Sequence, residues 1–150
     1  MYHLLSKEFI EEEFPILKTE AQAIINFVSC DGVMGYKLGL RLKALYPEMH
    51  KSYIKSCIYD GTLDKGKVLI WTKSLPWVIN IPIKETWKEE DDVEFIEEGV
   101  KKLSLVCEKL KITSIAIQKN YINDEHLEYY IKQNKLPEIK YYEDNLWVKK

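Results

Sequence analysis

Glycine is scarce in this chain, with 6 in 150 residues, and none follows Gly99. The later part of the sequence therefore holds no glycine-rich loop of the kind that lays successive N–H groups against a phosphate. Cysteine is also sparse: Cys30, Cys57 and Cys107 are odd in number, far apart and without a CxxC pair. His3, His50 and His126 are equally scattered. Neither set has the spacing of a structural metal site, and the thiols read as reduced cysteines of a cytosolic protein. Charge of one sign is missing as well, since the net charge is −2 with 31% charged residues. No global basic field points to nucleic acid or an anionic membrane. No apolar run approaches membrane-spanning length, and the N-terminal segment carries Glu and Lys where a signal peptide would be apolar. The expectation is a soluble, cytoplasmic protein with no metal, cofactor or membrane partner.

What is present suffices for one domain over residues 1–150, because 46% hydrophobic residues can fill a core. The most informative stretch runs from Ile24 to Arg41. An apolar, strand-like run breaks into the loop Ser29-Cys30-Asp31-Gly32-Val33-Met34-Gly35, and the loop opens into an amphipathic segment. A strand, a glycine-bearing loop and a helix start together form a common anion-binding arrangement. Lys37, Arg41, Lys43, Lys51 and Lys55 gather on this segment and the next, and read as a solvated helix face.

Along the chain, Tyr2–Leu5 suits an edge strand, and Glu11–Glu13 with Pro15 suits a loop. Ala21–Val28 is a buried strand. Met34, Leu38, Leu42 and Leu45 have helical spacing, stopped by Pro47, and a second helical piece follows from Pro47 to Cys57. Lys67–Thr72 and Trp77–Ile83 are strands, and Trp71, Trp77 and Trp87 read as core or rim packing. Asp91 or Asp92 can cap a long helix whose apolar stripe is Val93, Ile96, Val100, Leu103, Cys107 and Leu110. Thr113–Ile117 is a strand, Asp124–Gln133 a helix, and Ile139–Tyr142 and Leu146–Val148 closing strands. Strands alternating with helices imply an α/β fold with a mostly parallel sheet covered on both faces. Ligands of such folds bind beyond the carboxyl ends of the strands, which would bring the loops after Val28, Ile83 and Ile117 to one rim.

In order and spacing, four features from Ala21 to Ile117 resemble the macro domain family. They are nearest the branch containing terminal ADP-ribose protein glycohydrolase and the DarG antitoxins. The features are Ser29-Cys30-Asp31-Gly32-Val33-Met34-Gly35, similar to an S-x-D-x-x-M-G loop; the helix ending at Pro47; Asn80-Ile81-Pro82-Ile83-Lys84-Glu85-Thr86-Trp87, similar to a strand end with K-x-x-W; and the long helix running into Ser114–Ile117. The resemblance implies a three-layer α/β/α fold around a mixed, mostly parallel sheet. It implies a site for ADP-ribose or a related NAD-derived nucleotide, free or attached to protein or nucleic acid. The backbone of Gly32, Val33, Met34 and Gly35 would approach the distal ribose and pyrophosphate, with Ser29 and Asp31 shaping the loop. Glu8 stands near the place of the family's adenine-side acid or amide. Lys84 falls on the family's catalytic lysine, whose amine attacks the anomeric carbon. Such an amine must be partly deprotonated, which burial or a cationic neighbour favours.

Two departures stand out. Lys37 replaces the second glycine of M-G-x-G, where it either crowds the backbone approach or supplies a phosphate contact. The glycine-rich second loop, which carries the family's aspartate, is replaced by Gln118-Lys119-Asn120-Tyr121-Ile122-Asn123-Asp124, with Asp124 the acid nearest that place. Binding without turnover is therefore the leading reading, hydrolysis through Lys84 the second, and a pure protein-interaction domain the third. Tyr129, Tyr130, Tyr141, Tyr142 and Trp147 in the C-terminal part keep the third open.

Overall fold

The computed structural model describes residues 6–119 and 124–146. The edge strand expected at Tyr2–Leu5, and Trp147 and Val148 of the last expected strand, lie outside the described residues. Among those described, five strands form one sheet in the order β2-β3-β1-β4-β5. They are β1 (Ala23–Ser29), β2 (Leu69–Trp71), β3 (Trp77–Lys84), β4 (Ser114–Gln118) and β5 (Glu138–Tyr142). β1 runs parallel to β3 and β4, β5 runs parallel to β4, and β2 is antiparallel to β3. The sheet is thus mixed and mostly parallel, as expected.

Helices cover both faces. α4 (Val93–Leu110) and α5 (Asp124–Gln133) lie on one side; α1 (Lys7–Glu13), a 3-10 turn (Pro15–Lys18), α2 (Lys37–Leu45) and α3 (Pro47–Ile54) lie on the other. This explains why every residue of β1 is buried. Ala23, Ile25 and Phe27 pack towards α4, whereas Ile24 packs towards α1 and α2. A strand covered on both sides needs no polar alternation. Pro82 sits in β3 beyond Asn80, where the pairing with the short β2 has ended, so its missing N–H leaves no gap in that ladder.

Three local expectations are corrected. Glu11–Glu13 is helical, not a loop. Ser6 caps α1 by accepting the Phe9 N–H at 3.3 Å, and Ile10 and Phe14, four residues apart, are fully buried. The acidic run therefore rides on an amphipathic turn, and Glu13 turns inward to Arg41 Nε at 2.7 Å. The helix that begins at Pro47 also runs past Cys57, because a π-helical turn (Lys55–Tyr59) continues α3. In α4, Val93 and Leu110 at the two ends are exposed, and Phe95 and Gly99 complete the buried face. Asp92, not Asp91, caps α4, accepting the Glu94 N–H at 2.9 Å. No helix among the described residues is long and apolar enough to cross a membrane.

Candidate functional site

The carboxyl ends of β1 and β3 carry the two loops of the site. After β1 the chain turns at Gly32, whose φ of 84° is a left-handed conformation that favours glycine. Asp31 organises this turn: its Oδ1 accepts the Ser29 hydroxyl at 2.6 Å and the Val33 N–H at 3.0 Å, and its Oδ2 accepts the Trp87 N–H at 3.0 Å. Burial alone would push this carboxyl up; the donors Ser29, Trp87 and Val33 outweigh it and hold Asp31 below its ordinary value. From beneath, the fully buried Tyr53 donates its hydroxyl to the Ser29 carbonyl at 2.7 Å. The Cys30 N–H closes onto the Lys84 carbonyl at 3.1 Å, fixing the loop to the end of β3.

The second loop, from Glu85 to Asp92, is tied back to the sheet by the Asp92 N–H on the Ile83 carbonyl at 2.8 Å. That bond sets Asp91 opposite Lys84. Lys84 is the last residue of β3 and only 9% exposed; its Nζ lies 3.8 Å from Asp91 Oδ1 and 4.9 Å from the centre of the Tyr36 ring. The Tyr36 hydroxyl donates to the same Oδ1 at 2.8 Å. Burial, reinforced by this bond to Asp91, raises the Tyr36 phenol above its ordinary value, so it stays a donor. Ser29, Gly35, Tyr36, Lys84 and Trp87 together line a pocket of about 160 Å³. A hollow of about 190 Å³ beside Cys107, Ile112 and Pro137 lies at the amino ends of β4 and β5, on the opposite rim.

The residues expected at the site divide into groups. Ser29, Gly35 and Lys84 line the pocket, and Asp31 and Gly32 build the loop behind it. Val33 is exposed outside the pocket, and Met34 turns inward, 6% exposed, against Gly39. Lys37 does not line the pocket. It is the exposed first residue of α2, and Tyr36 takes the inward place instead. Glu8 is exposed in the first turn of α1, and Asp124 begins α5, its side chain outside the described residues. Residues 120–123 of the loop after β4 are likewise outside them.

Tyr36, Trp87 and Asp91 were missed as site residues. In the sequence Trp87 reads as packing although it closes the K-x-x-W pattern, and Asp91 reads only as a helix cap. Two adjacent acids before a helix were the available signal, since only one can cap it. Burial, then the nearby acids Asp64 and Glu85, pushes the Cys30 thiol up to about 12, which disfavours its thiolate. Among the described residues no group of His, Cys, Asp or Glu could hold a metal ion.

A mostly parallel sheet with helices on both faces, and a pocket where the loops after β1 and β3 meet, defines an α/β domain with its cleft beyond the carboxyl ends of the strands. The chain belongs to the macro domain family, whose model matches residues 25–119. It is 34% identical over 106 residues to the DNA ADP-ribosyl glycohydrolase of Mycobacterium tuberculosis, covering 68% of this chain and 30% of that protein. The chain therefore spans less than a third of that relative's length. Its fold is similar to the macrodomain of Mycobacterium tuberculosis DarG, with a TM-score of 0.73 at 28% identity, covering 85% of this chain and 92% of that one. It is also similar to Thermosipho africanus DarTG in complex with ADP-ribose, with a TM-score of 0.71 at 21% identity, covering 84% of this chain and 39% of the other.

Proposed function

We propose that this chain is an ADP-ribose-binding macro domain, recognising the nucleotide either free or carried by a nucleic acid or protein. The observation that carries this reading is the shared pocket of Gly35, Tyr36 and Lys84 at the carboxyl ends of β1 and β3. Gly35 offers backbone to the pocket without a side chain. No side chain caps the start of α2, so its first N–H groups and the positive end of its dipole are available to a diphosphate. Lys37, exposed on that first turn, is a cation where the dipole disfavours one, and a bound anion would relieve the repulsion. The experiment is titration calorimetry with ADP-ribose. Saturable heat is expected; its absence at high ligand concentration would overturn the reading.

A second reading, hydrolysis, is favoured by the burial of Lys84 in the same pocket. A lysine at an exposed strand end would be solvated; this one is 9% exposed and lines the pocket with Ser29, Gly35, Tyr36 and Trp87. Release of ADP-ribose from ADP-ribosylated DNA, lost in Lys84→Ala, is the expected result. A Lys84→Ala variant as active as the parent would sink it.

A further inference from the structure

Chemistry at a lysine amine requires that the ammonium proton go somewhere. In the loop after β4, where the family keeps its aspartate, the sequence offers only Asp124, which begins α5 and whose side chain lies outside the described residues. Near Lys84 the arrangement is different. Asp91 comes from the loop that follows Lys84 itself, is fixed by the adjacent Asp92 N–H bond to Ile83, and presents Oδ1 at 3.8 Å from Nζ. Both side chains are largely shielded, at 11% exposure for Lys84 and 19% for Asp91. At 3.8 Å the pair is in electrostatic reach but short of a closed hydrogen bond. The near bond to that oxygen is instead taken by the Tyr36 hydroxyl at 2.8 Å. Tyr36 thus orients the carboxylate and keeps it from locking the lysine into a tight ion pair, while its ring lies alongside the ammonium.

We propose that Asp91 is the positioning residue of Lys84 and receives its ammonium proton when ADP-ribose occupies the pocket, with Tyr36 fixing the accepting oxygen. The inference rests on the ADP-ribose reading above. The step balances without any further group. One proton passes from Nζ to Asp91 Oδ1, and the freed lone pair forms a bond from Nζ to C1 of the distal ribose. With free ADP-ribose the attacked carbon is the open-chain aldehyde: its C=O π pair moves to the oxygen, which takes a proton from the attacking nitrogen to give the carbinolamine. The carbinolamine hydroxyl then takes the proton back from Asp91 and leaves as water, giving a protonated imine. Sodium cyanoborohydride supplies hydride to reduce that imine to a stable secondary amine.

The test uses the full chain, free ADP-ribose and cyanoborohydride, read by intact mass and by peptide mapping to Lys84. The adduct is heavier than the protein by ADP-ribose less one oxygen atom. Calorimetric affinity for ADP-ribose is measured on the same proteins, which also checks that each variant is folded. Asp91→Asn is expected to slow adduct formation about 100-fold, the scale of a lost general base, and far more than it weakens binding. Asp91→Glu or added formate should restore part of the rate, which a purely structural role would not allow. Tyr36→Phe should slow the adduct less than Asp91→Asn does. A parent protein that binds ADP-ribose but forms no Lys84 adduct overturns the inference. So does Asp91→Asn labelled as fast as the parent, or slow and unresponsive to both rescues. Absence of ADP-ribose binding by the parent instead defeats the functional reading on which the inference stands.

Discussion

The carboxylate of Asp31 accepts the main-chain N–H of Trp87 at 3.0 Å, so one side chain joins the loop after β1 to the loop after β3. The same carboxylate holds the Ser29 hydroxyl and the Val33 N–H through its other oxygen. Both walls of the pocket therefore depend on a charge that donors favour. Because the folded state depresses this carboxyl from its ordinary 3.8, its contribution is present above that value and fades as pH falls through the lower folded value. Asp31→Asn should lower the urea midpoint at neutral pH, and the gap from the parent should close in acid below 3.8. A gap independent of pH would show that the charge is not what joins the loops.

Gly35 separates ligand geometry from folding. A Cβ built there meets nothing closer than Trp87 Cβ at 3.9 Å, an ordinary contact, and its φ is not left-handed. Gly35→Ala should leave the melting temperature close to that of the parent. It should weaken ADP-ribose binding about tenfold or more, a loss of roughly 1.4 kcal/mol, if the backbone is the surface the nucleotide approaches. Unchanged affinity would place the ligand away from this loop.

The sheet was legible because its strands are apolar on both faces and its helices have clean stops at Pro47 and after Leu110. α1 was not, since three glutamates in a row hid the spacing of Ile10 and Phe14. At the site, Lys84 and Gly35 could be placed by motif, because a strand end and a loop fix them through local chain geometry. Tyr36 and Asp91 could not. They are 55 residues apart and meet only because the Asp92–Ile83 bond folds the second loop back over β3. The inward turn of Tyr36 in place of Lys37 depends on where α2 begins, and boundaries of that kind are weakly encoded.

Gly99 is required by the closeness of α4 to β3. A Cβ there would stand 2.6 Å from Ile81 Cγ2, inside any tolerable contact, and Ile81 is a buried β-branched side chain with little room to turn. Gly99→Ala gains helix propensity of up to about 1 kcal/mol but overpacks the interface at a cost of about 1–3 kcal/mol. Net destabilisation of about 1–2 kcal/mol is expected in chemical denaturation. A stabilised variant would mean that α4 can ride outward from the sheet without loss.

Gln118 is the last residue of β4, 3% exposed, and among the described residues neither its carboxamide nitrogen nor its oxygen has a hydrogen-bond partner. β4 alternates, so Ala116 packs towards α1 and α2 while Ile115 and Ile117 pack towards α4; Gln118 follows Ala116. A buried amide left without partners costs about 1–3 kcal/mol relative to one that is satisfied. Methionine has similar length and volume and no polar atoms to desolvate, so Gln118→Met should raise stability by about 1–2 kcal/mol. The check is the urea midpoint at constant slope. A lower midpoint would mean that the carboxamide supports the fold through a polar bond of its own. Because β4 ends at the same rim as β1, ADP-ribose affinity measured on that variant would then tell whether Gln118 belongs to the site or only to the sheet.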